Sequence, residues 1–306
     1  MGKVIITAAL TGAVHVPSMS PYLPRTAEEI IEDAVLAHAA GAAVVHIHGR
    51  NSADGSPSSD VGLIRSIVEQ IKKRCDAVIG ITTGGRVGMT TDERLRAVSE
   101  LKPEMASCNA GSMNFVLSPI AEKIKEPKYP WEIPFLQGTR DIVFSNTFSS
   151  MESYMRIMYG NGTCPEFEVY DAGMINNLAY FLDKGIARPP LYIQFVLGVL
   201  GGMAATPDNL LFLVRSAREL LGDFVWSCAA AGRNQFALTT LAATIGGNVR
   251  VGLEDNLYLK PGALAKSSAE QVTLIREILD RLGLEAATPE EARKILSLKG
   301  LDHVEY

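Results

Sequence analysis

Val44-Val45-His46-Ile47-His48-Gly49-Arg50 is a short apolar run that carries histidines at i and i+2. Side chains alternate along a strand, so on a β-strand His46 and His48 project from one face. Two imidazoles sharing a face at a strand end are placed like two ligands of a transition metal. The competing reading is a pair of buried, hydrogen-bonded core histidines. The whole chain of 306 residues holds only 5 histidines, so the pairing here carries weight.

Upstream, Thr26 with Glu29 three residues on forms a capping box. The helix that it starts runs through Ile30, Ala34 and Leu36 and stops at Gly41. Before it, Val4 to Leu10 is a continuous apolar run of the kind expected of a strand covered on both faces. Downstream, the strand–helix unit repeats. Strands are expected at 77–82, 104–108, 166–171, 191–196, 224–228 and 248–252, with helices at 60–74, 91–101, 148–159, 174–184, 234–245 and 267–282 and another beginning at Thr206-Pro207. Eight strands alternating with eight helices predict a (β/α)8 TIM barrel as a single domain over residues 1–306. The rhythm breaks between 109 and 147, which predicts an extended loop after strand four serving a site or an interface. Trp131 and Tyr129 in it are candidates for an oligomer contact. Thr288-Pro289-Glu290-Glu291 begins a C-terminal helical tail.

Composition narrows the function. With 47% hydrophobic and 21% charged residues the chain reads as a well-buried globular protein. A net charge of −5 gives no general attraction to nucleic acid or anionic membrane. Cys75, Cys108, Cys164 and Cys228 are scattered, without a CxxC pair, and the chain enters a strand at Val4 without a secretory leader. Reduced thiols in a cytoplasmic protein are the expectation.

In a barrel the chemistry gathers at the C-terminal strand ends. That rule collects His46 and His48 at the end of strand two, expected over Ala42 to His48, Thr82-Thr83-Gly84-Gly85-Arg86 at the end of strand three, Ser107-Cys108-Asn109 at the end of strand four, and Gly252-Leu253-Glu254-Asp255-Asn256 after strand eight. Two imidazoles and the Glu254 carboxylate make an open three-ligand site for a divalent cation, with zinc suiting the nitrogen-rich set. Adjacent Glu254 and Asp255 do not easily point the same way, so one is expected as ligand and the other as base or support. Arg250, facing into the barrel, needs a carboxylate partner such as Asp255 or a substrate carboxylate. Arg86 and Arg233 follow small-residue turns suited to anions. Cys108 reads as a buried structural thiol, and His15 lies in the first loop at the mouth.

These residues resemble the β-keto acid cleavage enzymes, which include 3-keto-5-aminohexanoate cleavage enzyme. The resemblance covers almost the whole chain, through Thr11-Gly12-Ala13, Val45-His46-Ile47-His48-Gly49-Arg50, Thr83-Gly84-Gly85, Pro103-Glu104-Met105-Ala106-Ser107 and Gly111-Ser112-Met113-Asn114-Phe115. Gly232-Arg233-Asn234-Gln235 and Arg250-Val251-Gly252-Leu253-Glu254-Asp255-Asn256 complete it. It implies a zinc-bearing (β/α)8 barrel, usually a homotetramer. The implied reaction takes a β-keto acid and acetyl-CoA to acetoacetate and a new acyl-CoA by Claisen and retro-Claisen steps. By the same resemblance His46, His48 and Glu254 hold the metal, and Asp255 and Arg250 form the acid/base pair. Thr82 keeps a hydroxyl near substrate, Gly85 lends backbone to the substrate carboxylate, and Asn109 fills the polar position after strand four. Arg86 and Arg233 are candidates for coenzyme A.

Two positions depart from the family pattern. Members acting on amino-keto acids resemble one another in a glutamate where this chain has Val14, followed by His15. Many relatives also carry glutamate at Ser145. The loss of a carboxylate that would pair with a substrate ammonium predicts a β-keto acid without an amino group. A metal-dependent aldolase or hydrolase on a small keto acid is the enzymatic alternative, and a metallo-sensor the non-enzymatic one.

Overall fold

The computed structural model describes residues 2–85 and 88–306. Eight parallel strands close into a barrel: β1 (Ile6–Ala9), β2 (Val44–Ile47), β3 (Val78–Ile81), β4 (Met105–Asn109), β5 (Cys164–Val169), β6 (Leu191–Leu197), β7 (Phe224–Ala230) and β8 (Asn248–Val251). Each pairs with its neighbours in chain order, and β1 closes against β8 with Thr7 beside Arg250. The helices α1 (Ala27–Ala40), α2 (Val61–Arg74), α3 (Thr91–Leu101), α4 (Phe148–Gly160), α5 (Ala172–Asp183), α6 (Pro207–Leu221), α7 (Gln235–Thr244) and α8 (Ser268–Arg281) each follow the strand of the same number. The expected (β/α)8 barrel is the observed one.

Local chemistry starts these helices where it was expected. Thr26 and Glu29 form a reciprocal capping box at α1, and Thr90 with Glu93 does the same at α3. Outward-facing Ile6, Ala8, Val45, Ile47, Ile79 and Ile81 are buried against Ile30, Ile67 and Ile71 of the surrounding helices. Each such isoleucine or valine contributes about 1.5–3 kcal/mol by leaving water.

The barrel interior is divided along its axis. Its lower end is apolar, with Ile5, Val44, Val78 and Met105 against Ala292 and Leu296 of the tail helix Pro289–Leu296. Arg293 locks that helix by donating from Nε (2.8 Å) and Nη2 (2.9 Å) to the two oxygens of buried Glu104. Higher up, Thr7, His46, Glu166, Gln194, Ser227 and Arg250 are all buried. Branched apolar residues ordinarily fill this space. A polar interior costs stability unless every group is paired, and it leads directly to the upper mouth.

Two local readings change. Strand two was expected to run through His48, but β2 ends at Ile47, because the next residues turn into a hairpin of Gly49–Arg50 with Pro57–Ser58. The long loop after β4 carries a hairpin of Met113–Asn114 with Val143–Phe144 and short helices at Ser118–Ala121 and Glu132–Gly138. Trp131 and Tyr129 tie that loop to the first two loops. Trp131 Nε1 donates to the Asp54 carbonyl (3.2 Å) and the Tyr129 hydroxyl accepts from Arg25 Nη1 (3.1 Å). Among the described residues no helix is long and apolar enough to cross a membrane.

Candidate active site

At the upper mouth the Nε2 atoms of His46 and His48 stand 3.1 Å apart. Glu254 Oε1 lies 3.4 Å from the His48 nitrogen and 3.8 Å from that of His46. Two ligands held at ~2.0–2.1 Å by a tetrahedral zinc ion sit ~3.3 Å apart, so these donors are spaced as a metal requires. Burial pushes His46 down to about 3, which leaves it neutral with a lone pair to give. The second carboxylate oxygen, Glu254 Oε2, is buried without a hydrogen-bond partner among the described residues. Among those residues this is the one cluster of three or more His, Cys, Asp or Glu side chains placed to share an ion. The residues present fit a divalent cation.

Glycine keeps Glu254 in place. Gly12 has φ +56°, and a Cβ there would lie 2.4 Å from Glu254 Cγ. Gly12→Ala is expected to displace the carboxylate and weaken zinc affinity by about tenfold or more, read by competition with a chelating indicator. Gly222→Ala is the control: its φ is +74° but nothing lies within 4 Å of the added Cβ. It should cost about 1 kcal/mol of stability through the left-handed backbone and leave zinc affinity unchanged.

Arg250 is the hub of the opposite side. Its Nε donates to Asp255 Oδ2 (2.8 Å) and its Nη2 to Asp255 Oδ1 (2.9 Å) and Glu254 Oε1 (2.8 Å). Its Nη1 donates to Gln194 Oε1 (2.9 Å) and faces Glu168 Oε1 at 3.7 Å. Adjacent Glu254 and Asp255 thus do converge, because the two-pronged guanidinium accepts both. Burial alone would raise Glu254, yet Arg250 and the two histidines hold it well below the usual carboxylate range. Burial wins at Asp255, whose carboxyl is raised despite Arg250. Neighbouring carboxylates pushed in opposite directions suit a ligand beside a proton acceptor.

The remaining expected residues fall into three groups. Around the triad, the Thr82 hydroxyl accepts from Gly84 N–H (2.9 Å), and Asn109 Nδ2 donates to Glu168 Oε2 (2.7 Å). His15 Nδ1 donates to the Leu253 carbonyl (2.8 Å), and burial pushes the ring down to about 4, so its Nε2 is an unprotonated acceptor. Val14 is half-buried in the apolar cluster of the long loop, with Val16 and Leu136. Gly85 packs against Arg94, whose Cγ would lie 2.6 Å from a Cβ at that position. The second group is peripheral. Ser145 is exposed, and its carbonyl rather than its hydroxyl is engaged, by Arg94 Nη1 (2.9 Å). Arg233 is exposed in the turn before α7, and that turn is tied to the site by Gly232 N–H donating to the Asp255 carbonyl (2.8 Å). Arg86 lies outside the described residues. Cys108 is buried as expected, which pushes its thiol up to about 12.

Sequence reading passed over Glu168, Gln194 and the two loop clamps. Arg50, fully buried, donates to the carbonyls of Gly55 (2.7 Å), Thr11 (2.9 Å) and His15 (2.8 Å), joining the first two loops. Arg94 donates to the Thr83 carbonyl (2.8 Å) and Asn146 Oδ1 (2.9 Å), joining the third and fourth. A signal for Glu168 was present: Glu166 and Glu168 stand i and i+2 on one strand, the same spacing that marks the histidines.

Known proteins resemble this chain in sequence and in fold. A family model described as beta-keto acid cleavage enzyme matches residues 3–298. The chain belongs to this family. It is an enzyme of the β-keto acid-cleaving class. It is 48% identical over 305 residues to 3,5-dioxohexanoate:acetyl-CoA acetone transferase of Paraburkholderia graminis, covering 99% of this chain and 98% of that protein. It is 39% identical over 300 residues to 3-keto-5-aminohexanoate cleavage enzyme of Fusobacterium nucleatum, covering 98% and 99%. Among solved structures, apo ObcA superposes with a TM-score of 0.72 at 24% identity, over 91% of this chain and 66% of that one, a likeness of fold.

Proposed function

We propose that this β-keto acid cleavage enzyme exchanges acyl groups between acetyl-CoA and a β-keto acid whose side chain carries no ammonium group. The observation that carries the reading is the His46–His48–Glu254 cluster joined through Arg250 to Asp255 at the barrel mouth. The cluster would hold zinc, which when bound supplies Lewis acidity toward the keto acid oxygens. Asp255, oriented by two hydrogen bonds from Arg250, accepts the proton from the substrate α-carbon. That carbon attacks the acetyl carbonyl, and CoA leaves as the thiolate. The thiolate then adds to the original ketone carbon, and the bond between that carbon and the α-carbon breaks. The new acyl-CoA departs, and the acetoacetate carbanion regains a proton. Thr82, Gly85 and Asn109 orient the keto acid, with Arg86 and Arg233 assigned to the phosphates of CoA.

Val14 and His15 support the substrate class. An aliphatic side chain and an imidazole pushed down to about 4 offer no charge to an ammonium group. Glu168, the carboxylate on the far wall, already accepts from Asn109 and faces Arg250. The relative named for 3,5-dioxohexanoate, at 48% identity, and the one named for 3-keto-5-aminohexanoate, at 39%, fall in the same order. We further propose one domain over residues 1–306, a homotetramer and a cytoplasmic location.

Mass spectrometry of products from a panel of β-keto acids with acetyl-CoA tests the reading. Acyl-CoA and acetoacetate should form from 3,5-dioxohexanoate and other amine-free acids. Faster turnover of 3-keto-5-aminohexanoate would refute the substrate class. Breakdown without acetyl-CoA would mean an aldolase or hydrolase, and metal binding without turnover a sensor.

A further inference from the structure

Below the metal cluster lies a buried acid to which the reaction assigns no task. We infer that Glu166 is a positioning residue: it sets the direction of the Gln194 amide, which in turn aims Arg250 and steadies Glu254. Deepening the proposed function, this inference assumes that the His46–His48–Glu254 cluster is the metal site.

The argument is one of donors and acceptors. Arg250 has only donors, so Gln194 must show it the amide oxygen, as it does at 2.9 Å. The amide nitrogen is thereby turned away and needs acceptors of its own. It donates to Glu166 Oε1 at 2.8 Å and, more loosely, to Ser227 Oγ at 3.2 Å. Flipping the amide would aim N–H groups at a guanidinium, which has no acceptor to offer, and would break the Gln194 Nε2–Glu166 Oε1 hydrogen bond. Glu166 and Gln194 are 1% and 0% exposed, so water cannot substitute for either partner. Strand register places the partners: Gln194 lies beside Ser227 on one side and beside Glu168 on the other, two residues along from the Tyr192–Glu166 pair. The far end of the chain is the metal ligand itself, since Arg250 Nη2 holds Glu254 Oε1 at 2.8 Å. Burial pushes Glu166 up to about 8, so at neutral pH the link works as a neutral hydrogen bond that a glutamine can reproduce.

The test is zinc affinity, measured by indicator competition without substrate, on wild type, Glu166→Gln and Glu166→Met. Removing outer partners of a metal site typically weakens binding 10–100-fold. Glu166→Met is expected to bind zinc about tenfold more weakly and, with an active enzyme, to lower kcat while leaving KM for acetyl-CoA unchanged. Glu166→Gln should stay within about twofold of wild type. A folded Glu166→Met with wild-type affinity overturns the proposal, as does a Glu166→Gln that is equally impaired. Should Glu166→Met not fold, Gln194→Met deletes the acceptor directly and must show the same loss; unchanged affinity there overturns it too. Because zinc is read without turnover, an inactive wild type would count against the reaction and not against this assignment.

Discussion

His48→Ala is expected to lose its metal and to slow turnover by about 10³-fold or more. The histidine supplies one of three donors, and Lewis-acid stabilisation worth several kcal/mol converts to that factor at about 1.4 kcal/mol per tenfold. The fold should survive. His48 sits just beyond the end of β2 with 12% of its side chain exposed, whereas His46 is 2% exposed and its removal would leave a hole in the barrel. His48 is therefore the cleaner probe of the site. Elemental analysis, circular dichroism and the acyl-CoA assay check the three parts separately. A folded variant with full metal and full rate would remove His48 from the site.

The second large effect falls on stability. Arg250→Met leaves Asp255, Glu254 and Glu168 facing one another in a buried space without their shared cation. Breaking a buried pair by deleting one partner costs about 3–5 kcal/mol, because the remaining charge stays desolvated. For a chain of this size that corresponds to a fall in Tm of about 5–8 °C. The gap between variant and wild type should narrow when zinc replaces chelator in the buffer, since a divalent cation returns positive charge to the same carboxylates. Arg250→Lys keeps a charge but cannot serve Asp255, Glu254 and Gln194 from one planar fork, so it should recover part of the stability and little of the rate. Thermal unfolding of the three proteins, with and without zinc, decides the matter. Equal Tm values in chelator would mean that the carboxyls take up protons at no cost.

Much of the site was legible because it lies on regular elements. His46 and His48 obey the two-residue period of a strand, and Glu254 follows the last strand, where barrels gather their chemistry. The acid pair on β5 obeys the same period, but glutamates are common in any chain and histidines are rare in this one. The loop clamps had no such signal. Arg50 and Arg94 bind mainly carbonyls of loops distant in sequence, and a carbonyl has no side chain to announce it. Ser145 differs again: the family resemblance drew attention to its side chain, and the contact it makes with Arg94 runs through its carbonyl.

By itself the sequence determined the eight-fold alternation, the capped helices, the candidate triad of His46, His48 and Glu254, and the family, because each depends on short-range periodicity or on short motifs placed at strand ends. Only the tertiary structure decided that Arg250 serves Asp255, Glu254 and Gln194 together, and that Glu166 stands behind Gln194. Those contacts join β5, β6 and β8 across a closed barrel. Which inward side chains meet there depends on strand register and on the number of donors and acceptors left over when the barrel shuts.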